Sequence, residues 1–241
     1  MAGHSKWTNI RHTKARQDAK RSKVFTKLIR EISIAARLGS QDIDFNPRLR
    51  AVIDKAYTAN MTKNTIHRAI KRSAGNEASR YNLTEICYEG YGPNSVAVMV
   101  DCLTDNKNRT VTEVRHAFSK CGGNLGTDGS VAYLFIQRGL LTFPINSDEE
   151  KIIEIALEMD TDDVIMNDDG SIDIITVPEQ FERVYHTMKG ANLKPSRAEI
   201  TMLALTKMKL NKKNAEQMFR LTEMLEALDD VKNVYSNADY P

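Results

Sequence analysis

The clearest periodicity in the chain begins at Val24, where Val24, Leu28, Ile32 and Ala35 recur at helical spacing with Phe25, Ile29 and Ala36 beside them. Gly39 ends that run, as glycine commonly does just past a helix. Asn46-Pro47 predicts the next start: Asn caps, and Pro sits in the first turn, where its missing N–H costs nothing. Leu49, Val52, Ile53 and Ala56 then form one apolar stripe. A turn at Asn60-Met61-Thr62 opens a third helix, with Thr62 as its cap, Ile66, Ala69 and Ile70 facing inward, and Gly75 closing it. The pattern predicts a three-helix unit with cationic outward faces. Ahead of it, residues 1–20 show little apolar periodicity beyond Trp7 and Ile10 and read as a basic, partly helical arm.

Past residue 80 the pattern changes to short β-rich runs alternating with helices. Ile86–Tyr91 and Ser95–Leu103 read as strands joined by a Gly92-Pro93-Asn94 turn. A helix opening at Asn108 or Thr110 turns Val111, Val114, Ala117 and Phe118 inward and stops at Gly122-Gly123; Ser130–Gln137 is a further strand. Residues 140–205 form a complete unit: strand Leu140–Phe143, acidic helix Ser147–Met159, strand Val164–Met166, a hairpin turn at Asp169-Gly170, strand Ile172–Val177, helix Pro178–Lys189 and strand Glu199–Leu205. That order is βαββαβ, the ferredoxin-like arrangement. The helix Asn211–Leu228 and strand Val231–Tyr235 that follow need another partner, and the most economical one is the sheet formed by 81–137. The fold class expected is therefore α+β. A basic three-helix domain spans 1–80, a middle α/β domain combines 81–137 with 206–241, and the ferredoxin-like unit, 138–205, is inserted into the middle one.

Composition changes this picture little, and the distribution of charge changes it a great deal. The 241 residues are 41% hydrophobic and 27% charged, ordinary for a folded chain and wrong for a disordered or collagenous one. No stretch approaches the roughly 18 apolar residues of a membrane span, and the MAGHSKWTNI start lacks a secretory h-region. Cys87, Cys102 and Cys121 contain no CxxC pair, which argues against a disulfide framework and suits a reducing cytoplasm. The net charge is only +2, yet residues 1–80 carry 18 Lys and Arg against 6 Asp and Glu, while residues 81–241 carry 16 against 26. The segment 148–173 alone holds 11 carboxylates and one lysine, Lys151. Such asymmetry points to a polyanionic partner at the basic end, with no membrane and no small-molecule substrate implied.

Catalytic chemistry is hard to build from the remaining residues. His4, His12, His67, His116 and His186 are scattered, none at motif spacing from a Cys or Asp. Asp160, Asp162, Asp163, Asp168 and Asp169 lack the spacing of a calcium loop and read as a solvated face that repels nucleic acid. Gly90, Gly92, Gly122, Gly123, Gly126 and Gly129 belong to no phosphate-cradling loop of the nucleotide hydrolases. Gly122-Gly123-Asn124, beside Lys120 and the Gly126–Ser130 stretch, is similar to the tip of peptide release factors, although strand ends and helix caps account for most of these glycines. Arg109 suits a phosphate and a neighbouring carboxylate equally well. No catalytic residue, metal or cofactor is expected.

The expected nucleic-acid contacts are Lys6, Trp7, Arg11, Lys14, Arg16, Lys20, Arg21, Lys23, Lys27 and Arg30 on the arm and first helix, Arg48 and Arg50 on the second, and Lys63, Arg68, Lys71 and Arg72 on the third. Trp7 suits stacking on a base or plugging the arm onto the helices. The short turn before the third helix has the outline of a helix-turn-helix reader, but phosphate contact is what the residue types themselves support. Six to eight such contacts on duplex DNA would give a log–log salt slope of about −5 to −7.

The run MAGHSKWTNIRHTKARQDAKRSKVFTKLIREI, followed by NPRLRAVIDKA, NMTKNTIHRAIKR, YEGYGPNSVAVMVDCLTDNKNRT and CGGNLGTDGSVAYLF, closely resembles the YebC/PmpR family across at least residues 2–137, with looser agreement beyond. Thr62 stands where that family usually has Pro, and Ser95 where it often has Gly. The resemblance implies the same three-domain layout. It also implies one of two roles for the chain. The first is a non-enzymatic, DNA-binding transcriptional regulator acting on promoter DNA. The alternative is a ribosome-associated translational activator that binds ribosomal RNA, a role implied by the family's mitochondrial members, which are translational activators of cytochrome c oxidase.

Overall fold

The computed structural model describes residues 22–73, 83–167 and 169–241, so the arm, Gly75 and Asp168 lie outside the described residues. Helix α1 covers residues 22–38, α2 Pro47–Thr58 and α3 Lys63–Ser73. The stripes read from the sequence meet in one core: Leu28, Ile32, Ala35, Leu49, Val52, Ile53, Ala56, Ile66 and Ala69 are all buried together. Asn46 does more than cap. Its Oδ1 accepts from Leu49 N at 3.0 Å, while its Nδ2 donates to Ala35 O at 2.9 Å and to Ser40 O, so one buried side chain joins the end of α1 to the start of α2. Thr62 caps α3, with Thr65 N donating to its hydroxyl at 3.4 Å.

Two four-stranded sheets follow. Strands β1 (Thr84–Tyr91), β2 (Ala97–Thr104) and β3 (Asn124–Leu125) combine with β9 (Val231–Ser236) in the order β3-β1-β2-β9. The carboxy-terminal strand thus closes the middle sheet from its far side, as the unpartnered end of the sequence requires. Between β2 and β3 runs α4 (Lys107–Lys120), which starts earlier than the apolar stripe suggests because Asn106 caps it, accepting from Arg109 N at 3.0 Å. In the turn before β2, Asn94 and Ser95 take φ of 59° and 60°, the left-handed region that favours glycine.

The second sheet comprises β4 (Phe135–Phe143), β5 (Asp163–Met166), β6 (Ile172–Thr176) and β7 (Arg197–Ala204) in the order β5-β6-β4-β7, with α5 (Glu149–Glu158) and α6 (Phe181–Gly190) between strands. All three of its strand pairings are antiparallel, which is the ferredoxin-like arrangement. Leu141, Phe143, Ile152, Ile174, Phe181, Val184 and Met188 form its core. The two strands expected at Ser130–Gln137 and Leu140–Phe143 are one strand, and residues 132–134 ahead of it form a 3-10 turn instead. Gly139, between the two expected strands, lies mid-strand: a Cβ there would come 2.6 Å from Phe181 Cδ2 and against Thr176 Oγ1, so only glycine lets the helix pack. The junction between residues 137 and 138 accordingly falls inside a strand. Helix α7 (Lys212–Glu226) precedes β9, and the short strands β8 (Met208–Lys209) and β10 (Ala238–Asp239) pair in parallel.

By compactness the described residues fall into two units. One gathers 22–73, 83–87, 101–113 and 224–233; the other gathers 88–100, 114–223 and 234–241. No helix among the described residues is long and apolar enough to cross a membrane.

Candidate nucleic-acid interface

The inward stripe of α3 forces its other face into solvent, and that face is cationic. Lys63 and Lys71 lie two turns apart, Arg68 and Arg72 one turn apart, with His67 between, and all five are exposed. None of the four cations has a carboxylate within ion-pair distance among the described residues. Lys71 and Arg72 occupy the last turn, where the helix dipole favours positive charge.

The cations of α1 and α2 are placed differently. Lys23 Nζ lies 3.4 Å from Asp229 Oδ1, Lys27 donates to the backbone carbonyl of Glu226, and Arg30 Nη1 lies 3.3 Å from Asp230 Oδ1. Burial pushes the Lys27 ammonium below its ordinary value, with Asp229, Glu226 and Glu31 offsetting part of that cost. Buried Glu31, on the same helix, is pushed up for the same reason. Arg48 forms a bidentate pair with Glu85. Arg50 Nη2 donates to Ile43 O and Asp44 O at 3.1 and 3.0 Å, bracing the α1–α2 connection. Of the expected contacts, Lys63, Arg68, Lys71 and Arg72 therefore converge on one open face, whereas Lys23, Lys27, Arg30, Arg48 and Arg50 all hold the protein's own acceptors. Lys6, Trp7, Arg11, Lys14, Arg16, Lys20 and Arg21 lie outside the described residues.

The acceptor that organises α1 escaped sequence reading. The Asp230 side chain is 2% exposed and is reached by Arg30, by Arg109 through Nε at 3.1 Å and Nη2 at 2.6 Å, and by the hydroxyls of Thr110 at 2.9 Å and Thr104 at 3.2 Å. Its carbonyl accepts from Leu103 N at 2.7 Å. Arg109 also pairs with Asp105 at 2.8 Å, and the hydrogen bonds it donates to Asp230 and Asp105 raise the guanidinium above its ordinary value. The LTDNKNRT run thus serves an internal ion-pair cluster, and Arg109 pairs with carboxylates. The only local cue was the capping Asn106; the partner lies 121 residues away.

A second buried carboxylate fixes the glycine-rich loop. Glu89 accepts from Gly129 N, Val131 N and Ala132 N, each at 2.7 Å, and Gly126 N donates to its carbonyl at 2.8 Å. The Gly126–Ser130 stretch is thus tied down through its backbone. Gly123 sits where a Cβ would collide with Tyr91 O and lie 3.1 Å from Gly92 Cα. These bonds explain the 3-10 turn as well, because N–H groups spent on Glu89 cannot enter a ladder. Burial alone would push the Glu89 carboxyl up; the three N–H donors together outweigh it and leave it below its ordinary value. The folded state therefore gains from the ionised form. That gain is present in full above the unfolded carboxyl's titration and is lost as pH falls through the lowered folded value. Glu89→Gln is expected to cost about 2–3 kcal/mol at neutral pH, because an amide must point donors at donors. Urea titrations from neutral to acid pH check this, the difference between the two proteins shrinking on the acid side.

In the acidic segment, Asp162 pairs with Arg138 at 2.7 Å, Asp169 accepts from Ser171 N and Oγ, and Asp173 accepts from Thr142 and Asn167. Among the described residues no group of three or more His, Cys, Asp or Glu is placed to hold a metal ion.

Fold and surface together define a modular α+β protein that presents a cationic helix face on its amino-terminal three-helix part. The comparisons agree with that class: residues 5–76 match the TACO1/YebC protein N-terminal domain, and residues 83–238 match the TACO1/YebC second and third domain. The chain belongs to the TACO1/YebC family. It is 73% identical over 241 residues to a probable transcriptional regulatory protein of Coxiella burnetii (strain Dugway 5J108-111), covering all of this chain and 98% of that one. A probable transcriptional regulatory protein of Methylococcus capsulatus is 60% identical, with 99% and 96% covered. The crystal structure of a conserved hypothetical protein from Aquifex aeolicus is similar with a TM-score of 0.80 and 42% identity, over 93% of this chain and 92% of that one.

Proposed function

We propose that the protein is a regulator that acts by binding nucleic acid through the outward face of α3, extended by the cationic arm, and that it controls transcription from DNA. The observation that carries this is the contrast among the cations. Lys63, Arg68, Lys71 and Arg72 stand exposed with no carboxylate in reach among the described residues, while those of α1 and α2 are taken up internally. Exposed cations one and two turns apart on a helix neutralise successive phosphates and release counterions. The relatives' shared description as probable transcriptional regulatory proteins supports the regulatory part. No catalytic step enters this reading, and the division into 1–80, 81–137 with 206–241, and 138–205 belongs to it.

The same helix face favours a second reading, in which the protein works on the ribosome and binds ribosomal RNA. Four of the outward side chains of α3 are long cations, suited to phosphates of either polymer, and such contacts carry no base sequence information. Crosslinking in cells followed by sequencing of the bound nucleic acid separates the two. Enrichment of promoter DNA is expected; recovery of ribosomal RNA alone would replace the first reading by the second.

A further inference from the structure

The carboxy-terminal part of the chain contains a cationic segment that the α3 interface does not use. Residues 81–241 hold 26 acids, yet the segment 207–213 carries Lys207, Lys209, Lys212 and Lys213 with no acid among them, a quarter of the 16 cations in that part. All four lysines are exposed, and none has an ion-pair partner among the described residues. The nearest acids by position are Asp239, which faces Lys209 across the β8–β10 pair, and Glu216, one turn along α7 from Lys212 and Lys213.

Their placement is electrostatically unfavourable for folding. Lys212 and Lys213 form the first turn of α7, which has no acidic residue, so two positive charges sit where unsatisfied N–H groups are already positive. Asn211 relieves one of those groups by accepting from Asn214 N at 2.9 Å, and the lysines relieve none. Two turns further along the same helix, Phe219 is 57% exposed and stacks on Tyr240, with ring centroids 4.5 Å apart. Lys212 and Phe219 are seven residues apart, which puts them on one face about 10 Å from each other. Tyr240 directly follows β10, the strand paired with the lysine-bearing β8. Unpaired cations beside an exposed aromatic stack are the two components of single-stranded nucleic-acid grooves: charge follows the backbone, and rings receive bases.

We propose that Lys207, Lys209, Lys212 and Lys213, with the Phe219–Tyr240 stack, form a second contact for single-stranded nucleic acid. This inference rests on the reading of the protein as a nucleic-acid binder and adds a contact within the other compact unit. Two contacts on one polymer turn the second binding event into an intramolecular one, raising overall affinity beyond either alone.

The test uses the full-length protein and an unstructured single-stranded RNA oligonucleotide titrated across a range of salt concentrations. Three proteins are compared: the parent, the variant Lys207→Gln, Lys209→Gln, Lys212→Gln, Lys213→Gln, and the variant Lys63→Gln, Arg68→Gln, Lys71→Gln, Arg72→Gln. Melting curves verify that each is folded, and removing charge from the α7 amino terminus should not lower that of the first variant. Its affinity is expected to fall at least tenfold, with the log–log salt slope shallower by about 2–3. An affinity and slope equal to the parent's overturn the second contact whatever the α3 variant does. Loss in the α7 variant with none in the α3 variant would leave this contact standing and remove the α3 interface, and no binding by the parent would overturn both. Acetylation footprinting of the parent gives a readout without substitution: bound RNA should protect these four amines, and equal acetylation with and without RNA overturns the proposal.

Discussion

Replacing Asp230 by alanine is expected to lower the free energy of unfolding by about 3 kcal/mol, the largest effect of any single substitution outside the apolar cores. The carboxylate is 2% exposed and receives two guanidinium groups and two hydroxyls. Truncation removes the carboxylate acceptor of the buried Thr104 hydroxyl, leaves Thr110 only Asn106 O and Thr104 to donate to, and takes away the charge that both guanidinium groups face. Arg30 and Arg109 are 29% and 42% exposed, so they can turn toward water, which keeps the cost at the lower end for a broken buried pair. Asp230→Asn should fall between the parent and alanine, since an amide oxygen still accepts from a hydroxyl. Urea denaturation checks this, and a loss below about 1 kcal/mol would mean that solvent replaces the cluster. The effect should reach α1 through Arg30, so hydrogen exchange in residues 22–38 should quicken more than in α5 or α6.

Reversing charge at Lys63, Arg68, Lys71 and Arg72 together is expected to abolish most nucleic-acid binding while leaving the fold intact. Four phosphate contacts contribute about 3–4 to the log–log salt slope on duplex DNA, and glutamates in their place add repulsion. These side chains are exposed, and none has an ion-pair partner among the described residues, so circular dichroism and melting temperature should move little. The same reversal at Lys23 and Arg30 would be a poor probe. Those cations face Asp229 and Asp230, and glutamates there would repel the carboxylates and unsettle α1. The measurement is affinity for duplex DNA and for structured RNA over a salt series. A reversed α3 that binds both as the parent does would end the proposal for this helix.

Much of the fold was legible because it is encoded locally. The stripe Leu49, Val52, Ile53, Ala56 and the Asn46-Pro47 start define α2 without reference to any other part of the chain. The βαββαβ order of 140–205 followed from alternating and helical periods in succession, and the sheet order β5-β6-β4-β7 agrees with it. Errors came where a distant group competes for the backbone. Val131 and Ala132 have strand-forming character nearby, but Glu89 takes their N–H groups, and the strand starts at Phe135 instead. The same strand runs unbroken through Gly139, where Phe181 and Thr176 occupy the space a Cβ would need.

For the candidate site, residue type was informative and residue availability was not. Sequence by itself determined that the amino-terminal third is strongly cationic and that its described part, residues 22–73, is built of amphipathic helices, because helix periodicity and charge need only near neighbours. Tertiary structure alone decided which cations remain free to meet a partner. Asp229 and Asp230 reach α1 only after the carboxy-terminal strand joins the middle sheet, two hundred residues downstream of Arg30. An ion pair forms between groups that folding brings close, and separation along the chain gives no hint of that distance.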